Sequence, residues 1–349
     1  KMIKNNNFIE KIVNSQNPYF IAEIGINHNG SVELAKRMID SASENGANCV
    51  KFQSFIADEY ISKFAEKASY QEITDYSAKS QKEIIKDCEL TIDEMKELQK
   101  YCSHKNIDFL STPFEINSLK NLLNINIKAI KISSCNLTNY PFLKEAAKTK
   151  LPILLSTGMG NIKEVDKAVN IFKEANSPLL VFQCTSNYPS KIENSNINVI
   201  KTYRDRYKVP IGLSDHTQNN IAAITAIAVG AVVIEKHFTI SRELPGIDQN
   251  ASIIPDELKQ LVCDLKDSRL SLGSFEKFRS EEEKDTFNAL RRSLVASKDI
   301  SSGDIIESDM ISIMRPGSGL STDYFDKIVG MKTKKNIKKY QLFKIEDLI

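Results

Sequence analysis

An α/β fold, a (β/α)8 TIM barrel followed by a small β-rich domain, is predicted by three observations on the 349-residue chain. Eight short apolar runs recur along it, helical periodicity fills the gaps between them, and past residue 289 the pattern changes to short strands and turns. Runs that are apolar throughout suit strands buried on both faces, and connection through helices makes such a sheet parallel. A closed barrel of about 250 residues uses eight of them and leaves length for one smaller domain.

The runs are Tyr19–Ile24, Cys49–Gln53, Asp108–Ser111, Ala129–Ile132, Ile153–Leu155, Leu179–Gln183, Pro210–Leu213 and Val232–Glu235. Between the first two, Val32, Leu34, Ala35, Met38, Ile39 and Ala42 repeat at helical spacing. Met95, Leu98 and Tyr101 do so later, behind the capping-type run Thr91-Ile92-Asp93-Glu94. The stretch from Ser54 to Cys88 exceeds a single crossover and predicts an excursion over the barrel mouth that helps cover substrate. A helical pattern over Leu258–Leu272 ends the barrel, which is placed at residues 1–275. The segment from Glu276 to Lys284, four of whose nine residues are acidic, opens a linker placed at 276–288. The strand-like Ser293–Ser297 and Ile311–Met314, with the turn Ser301-Ser302-Gly303-Asp304 between them, belong to a domain over 289–349.

Composition narrows the partners. Hydrophobic residues make up 41% and charged residues 26%, with a formal net charge of +2, so no basic stripe argues for nucleic acid or an anionic membrane surface. Six cysteines without a CxxC pair, no apolar run near the roughly 18 residues of a span, and a polar, Asn-rich start from Lys1 to Asn17 without signal-peptide order point to a cytoplasmic protein of small-molecule ligands.

In such a barrel the reactive groups come from the C-terminal ends of the strands. Lys51 and Lys131, with hydroxyls from Thr112, Ser134, Ser156, Ser186 and Ser214, form a donor-rich lining that suits a small dianionic acid such as phosphoenolpyruvate. Singly, such a Lys can be solvated and such a Ser can cap a helix; the set together reads as an anion site. Three of the four histidines also fall at strand ends. His216 and His237 close neighbouring strands, so they either share one divalent ion with water and substrate oxygens or serve as hydrogen-bonding rim residues.

Read in order, Ile21-Ala22-Glu23-Ile24-Gly25-Ile26-Asn27-His28-Asn29-Gly30, Lys51-Phe52-Gln53, Ser111-Thr112-Pro113-Phe114, Ser156-Thr157-Gly158-Met159, Gly212-Leu213-Ser214-Asp215-His216-Thr217 and Glu235-Lys236-His237-Phe238-Thr239 resemble the N-acetylneuraminate (sialic acid) synthase family. The resemblance runs from about Tyr19 to the C-terminus, where Arg292–Ala296, Lys298-Asp299-Ile300 and Arg315-Pro316-Gly317 are similar to the small antifreeze-like, or SAF, domain. It implies a transferase that joins phosphoenolpyruvate to an open-chain amino sugar such as N-acetylmannosamine, with legionaminic and pseudaminic acid synthases as alternatives in the same family. It assigns Lys51, Thr112, Lys131, Ser134, Ser156, Ser186 and Ser214 to phosphoenolpyruvate, His216 and His237 to manganese or magnesium, and Tyr188, Asp248 and Arg315 to the sugar. Arg315 is expected to act across a domain-swapped homodimer, and Glu23 to orient the sugar or move a proton. Where most members carry a Glu shortly after the fourth-strand Lys, this chain has Asn136, which cannot take up a proton at neutral pH. That departure assigns proton transfer to another group, changes the sugar, or leaves a sugar-binding barrel without turnover.

Overall fold

Each predicted run becomes a strand: β1 (Tyr19–Gly25), β2 (Cys49–Ser54), β3 (Asp108–Pro113), β4 (Ile130–Ile132), β5 (Ile153–Ser156), β6 (Leu179–Cys184), β7 (Ile211–Asp215) and β8 (Val233–His237). In this computed structural model, which describes residues 7–66 and 80–349, they pair in parallel in the order β3-β2-β1-β8-β7-β6-β5-β4, and β3 lies beside β4 to complete the barrel. Two compact units are present, Lys1–Gly273 and Ser274–Ile349.

The strand period of two divides the barrel residues between two cores. Outward residues such as Phe20, Ala22, Val50, Phe52, Leu155 and Ile234 pack against the helices. Inward residues Ile21, Cys49, Leu110, Ala129, Leu154, Leu180 and Val233 fill the lower barrel with a dry plug. The helices are α1 (Phe8–Val13), α2 (Val32–Glu44), α3 (Ala57–Tyr60), α4 (Gln81–Asp87), α5 (Ile92–His104), α6 (Ile116–Asn124), α7 (Tyr140–Lys148), α8 (Ile162–Glu174), α9 (Val199–Tyr207), α10 (Ile221–Ala228) and α11 (Pro255–Ser271). The Thr91 and Glu94 pair forms the expected capping box at the start of α5, each satisfying a backbone N–H of the other's residue. No helix of the described residues is long and apolar enough to cross a membrane.

The Asn-rich start contains α1, whose Phe8, Ile9 and Ile12 join the barrel plug from below. The excursion after β2 appears in part as α3 and α4, while its stretch over 67–79 lies outside the described residues. In the second unit β9 (Ser293–Ala296) pairs antiparallel with β10 (Ile311–Met314) above a core that includes Leu294, Ile306, Ile337 and Phe343. The segment expected as a linker carries the short helix α12 (Lys284–Leu290), preceded by a Ser280–Glu283 capping box, with the Arg279 guanidinium 3.4 Å from the Phe287 ring centre.

His28, at the β1 end, turns away from the barrel interior. It is fully buried against the Phe52 ring, and its Nδ1 accepts from the Gly30 N–H at 3.1 Å. Burial pushes its pKa down to about 4, so the ring is neutral in the folded chain. The unfolded chain takes up this proton near pH 6.5 and the folded chain only near 4, so stability is full above pH 6.5 and falls as the pH drops between those values. Urea unfolding at pH 8 and pH 5 is expected to show about 2 kcal/mol more loss in the wild type than in His28→Asn. Equal losses in the two proteins contradict this assignment.

Candidate active site

Above the apolar plug the inward positions change character. The next inward residue is Glu23 on β1, Lys51 on β2, Thr112 on β3, Lys131 on β4, Ser156 on β5, Ser214 on β7 and Glu235 on β8. One step along each strand thus turns a dry core into the floor of a cavity of about 400 Å3.

The floor is a matched set of buried charges. Lys51 Nζ lies 2.7 Å from Glu23 Oε2 and 3.8 Å from Glu235 Oε2, and Lys131 Nζ lies 3.2 Å from Glu235 Oε1. Lys51 also donates to Thr112 Oγ1 at 3.1 Å and Lys131 to Ser156 Oγ at 2.6 Å, while Ser214 Oγ donates to Glu235 Oε1 at 3.1 Å. Burial works against the charge on Glu235, but Lys131 and Lys51 outweigh it and hold its pKa below the usual range. Glu23 goes the other way: burial and then the Glu235 charge raise its pKa against the pull of Lys51. Glu23 is therefore the carboxylate of the pair that more readily takes a proton.

Hydroxyl donors converge beside this floor because a glycine, Gly158, follows just beyond the end of β5. A Cβ on Gly158 would fall 2.2 Å from Ser186 Oγ, 2.8 Å from Ser134 Oγ and 3.1 Å from Cys184 Sγ. The Gly158 N–H donates to Ser134 Oγ at 2.9 Å. Serine hydroxyls and ammonium groups gathered this closely can hold a phosphate or carboxylate.

The histidine pair sits at the rim. The His216 and His237 ring centres are 5.5 Å apart, with the Tyr188 ring 4.3 Å from the first and 5.6 Å from the second. His216 Nδ1 lies 2.8 Å from the Thr185 carbonyl, which accepts its proton and turns Nε2 away from that contact. Burial, and then the nearby cationic groups, holds the His237 pKa well below its ordinary value, so this ring is neutral. His237 Nδ1 is buried without a hydrogen-bond partner, 4.0 Å from Asp248 Oδ2. Burial works against charge on His216, but Cys184 and the Thr185 carbonyl outweigh it and raise its pKa, whereas the His237 nitrogen is neutral and unpartnered. The two rings beside the Asp248 carboxyl are a donor set that suits a divalent cation. Among the described residues no cluster of three or more potential ligands forms a complete cage, so water and ligand oxygens would finish its shell.

All the predicted site residues of the barrel except Asn136 line this one cavity, including Tyr188 and Asp248. Asn136 instead donates to the Phe114 carbonyl at 3.0 Å and accepts from Asn139 Nδ2 at 3.1 Å, tying the β3 end to the loop after β4. Arg315 is exposed at the end of β10, in the second unit. Sequence reasoning missed Glu235 and Cys184, which also line the cavity. The signal for Glu235 was its position two residues before His237, on the same face of β8.

Fold and site together define a (β/α)8-barrel protein with a buried, charge-lined cavity at the C-terminal ends of its strands. The model of the NeuB family matches residues 38–277 and that of the SAF domain residues 291–349. The chain is 39% identical over 329 residues to the N,N'-diacetyllegionaminic acid synthase of Campylobacter jejuni, covering 93% of this chain and 98% of that one. It is 34% identical over 305 residues to the human N-acetylneuraminate-9-phosphate synthase, covering 86% and 84%. The crystal structure of the N-acetylneuraminic acid (sialic acid) synthetase of Leptospira borgpetersenii serovar Hardjo-bovis in complex with citrate is 35% identical, covers 77% of this chain and 90% of that one, and superposes with a TM-score of 0.69. This chain belongs to the NeuB family.

Gly158→Ala pushes the Ser134 and Ser186 hydroxyls apart while leaving the plug below intact. Titration calorimetry is expected to give roughly 10 to 100-fold weaker binding of phosphoenolpyruvate, corresponding to about 1–3 kcal/mol of displaced hydrogen bonds. Unchanged affinity contradicts the convergence of these hydroxyls on the ligand.

Proposed function

We propose that this chain is a nonulosonic acid synthase that condenses phosphoenolpyruvate with an open-chain N-acetylated amino sugar and releases phosphate. The observation that carries the reading is the buried floor in which Lys51 and Lys131 sit among the hydroxyls of Thr112, Ser156 and Ser214. Family membership agrees with it.

In the proposed reaction a bond forms between C3 of phosphoenolpyruvate and the aldehyde carbon, water adds at C2, and the C2–O–P linkage breaks to give phosphate. Lys51 and Lys131 offset the ligand's negative charge throughout, and Ser134 and Ser186 orient its phosphate. Glu23, whose carboxyl burial holds above the usual range, exchanges the proton of the incoming water. Asn136 is engaged with backbone and side-chain partners, which leaves this proton work to Glu23. His216 and His237 would hold Mn2+ or Mg2+, which supplies Lewis-acid polarisation of the aldehyde when bound, with Asp248 beside them for the sugar. Tyr188 packs on both histidine rings and would hold the sugar against them. We also propose that the chain works in the cytoplasm as a domain-swapped homodimer in which the exposed Arg315 reaches the partner's sugar; family resemblance supports this arrangement.

One observation bears on the sugar. Ile26, Ile61, Ile85, Ile247 and Phe114 line the same cavity as an apolar group. Each hydroxyl buried against such a wall without a partner costs about 1–3 kcal/mol, whereas methyl and acetamido methyl groups bury favourably. A 2,4-diacetamido-6-deoxy sugar suits this wall better than N-acetylmannosamine, in keeping with the named activity of the Campylobacter relative.

Phosphate release from phosphoenolpyruvate with Mn2+ is the test. Turnover is expected with N-acetylated amino sugars and at least about tenfold higher kcat/KM for the diacetamido sugar, with activity abolished by excess chelator and restored by Mn2+. Binding of phosphoenolpyruvate and sugar without phosphate release would establish a non-catalytic barrel instead, and full activity in excess chelator would remove the metal role.

A further inference from the structure

The two rim histidines face the cavity, but the residues beside them, Asp215 and Lys236, face the opposite way, into the layer between strands and helices. Lys236 is 1% exposed and is flanked along β8 by Ile234 and Phe238, which belong to the apolar helix-facing core. An ammonium group at such a position demands compensation. It finds Asp215 Oδ2 at 2.7 Å, the Thr217 carbonyl, and the Asn219 carbonyl at 3.4 Å. Asp215 Oδ1 in turn accepts from the Thr217 N–H at 2.9 Å. The same two residues are register partners across the β7–β8 ladder. The Lys236 contacts therefore tie the end of β8 to the end of β7 and its following loop, and the Asp215–Thr217 bond holds that loop to β7.

Buried ion pairs give little net stability over a well-packed apolar pair, because desolvation offsets their attraction. Stability alone thus does not explain why a charged pair occupies an otherwise apolar layer. Its position does: Asp215 is adjacent to His216, and Lys236 is adjacent to His237. We infer that Asp215 and Lys236 form a positioning clamp that fixes the separation and direction of His216 and His237 for a divalent cation. They touch neither cation nor substrate, and act only through the two histidines. The inference rests on the metal reading given under the proposed function.

The test uses the full chain with Mn2+ alone, its free ion followed by electron paramagnetic resonance, and separately with phosphoenolpyruvate in the absence of metal. In the double variant Asp215→Leu, Lys236→Met the charges leave together, so no uncompensated ion stays buried. Cooperative thermal unfolding is expected to persist, with Mn2+ affinity lowered by about 10 to 100-fold, the range seen when groups supporting metal ligands are removed. Phosphoenolpyruvate affinity is expected to stay unchanged, since Lys51, Lys131 and the serine donors lie on other side chains. A folded double variant that binds Mn2+ as the wild type does overturns the clamp, and so does an equal loss of both affinities, which indicates general loosening. Should the double variant not fold, Asp215→Asn keeps the side-chain shape and the Thr217 contact; weaker Mn2+ binding with intact phosphoenolpyruvate binding supports the clamp, and unchanged Mn2+ binding overturns it. A wild-type chain that binds no Mn2+ overturns the metal reading and the clamp together, an outcome distinct from a wild type that binds while the variants bind equally well.

Discussion

Two ammonium groups and two carboxylates share the upper interior of the barrel, where Lys51, Lys131, Glu23 and Glu235 are each less than a tenth exposed. Moving one such ion out of water costs several kcal/mol even after relaxation, and only close partners repay it. Much of the architecture serves that matching. The parallel register sets Glu23 beside Lys51 on the neighbouring strand, and Glu235 reaches across to both lysines. Below them the apolar plug, completed by Phe8, Ile9 and Ile12 of α1, keeps water out from the N-terminal end. Above them lies the cavity whose floor these groups line. Such a set is a poor way to stabilise a protein and a suitable way to receive an anion, because its donors are already oriented before the ligand arrives.

The rim follows the same logic with different chemistry. Burial and the nearby cations keep His237 neutral, and a backbone carbonyl fixes the tautomer of His216. The result is one neutral ring, His237, beside a second ring, His216, whose pKa Cys184 and the Thr185 carbonyl raise against burial, next to the acidic Asp248. The charged floor and the histidine rim thus share one cavity, and the apolar group around Ile61 and Ile247 forms its third component. A ligand that satisfies all three carries negative charge at one end, polar atoms towards the histidine rim, and methyl-bearing groups elsewhere.

Much of this was legible in the sequence, for physical reasons that also mark its limits. The eight strands announced themselves because a strand buried on both faces is apolar throughout, and the polar residues just beyond each run marked the functional end of the barrel. Lys51, Lys131, His216 and His237 were found that way. Glu235 was passed over because it lies inside a run that reads as strand; only its parity with His237 reveals that it faces the cavity. Asn136 drew notice as a departure from a family pattern, yet its partners are the Phe114 carbonyl and Asn139, contacts that spacing does not encode. Helix α1 escaped because six residues carry too little periodicity to stand out within an Asn-rich stretch. Similarly, His28 shares a strand-end motif with the cavity residues, but the chain turns it into the helix-facing core.

On the proposed reading the buried lysines receive a phosphorylated carboxylate. Titration calorimetry of phosphoenolpyruvate against the wild type and Lys131→Met tests it most directly, with thermal unfolding to establish that the variant is folded. The account predicts a loss of about 2–5 kcal/mol of binding free energy, roughly 30-fold or more in Kd, on removing this one cation. A folded Lys131→Met chain that binds phosphoenolpyruvate as tightly as the wild type would contradict it.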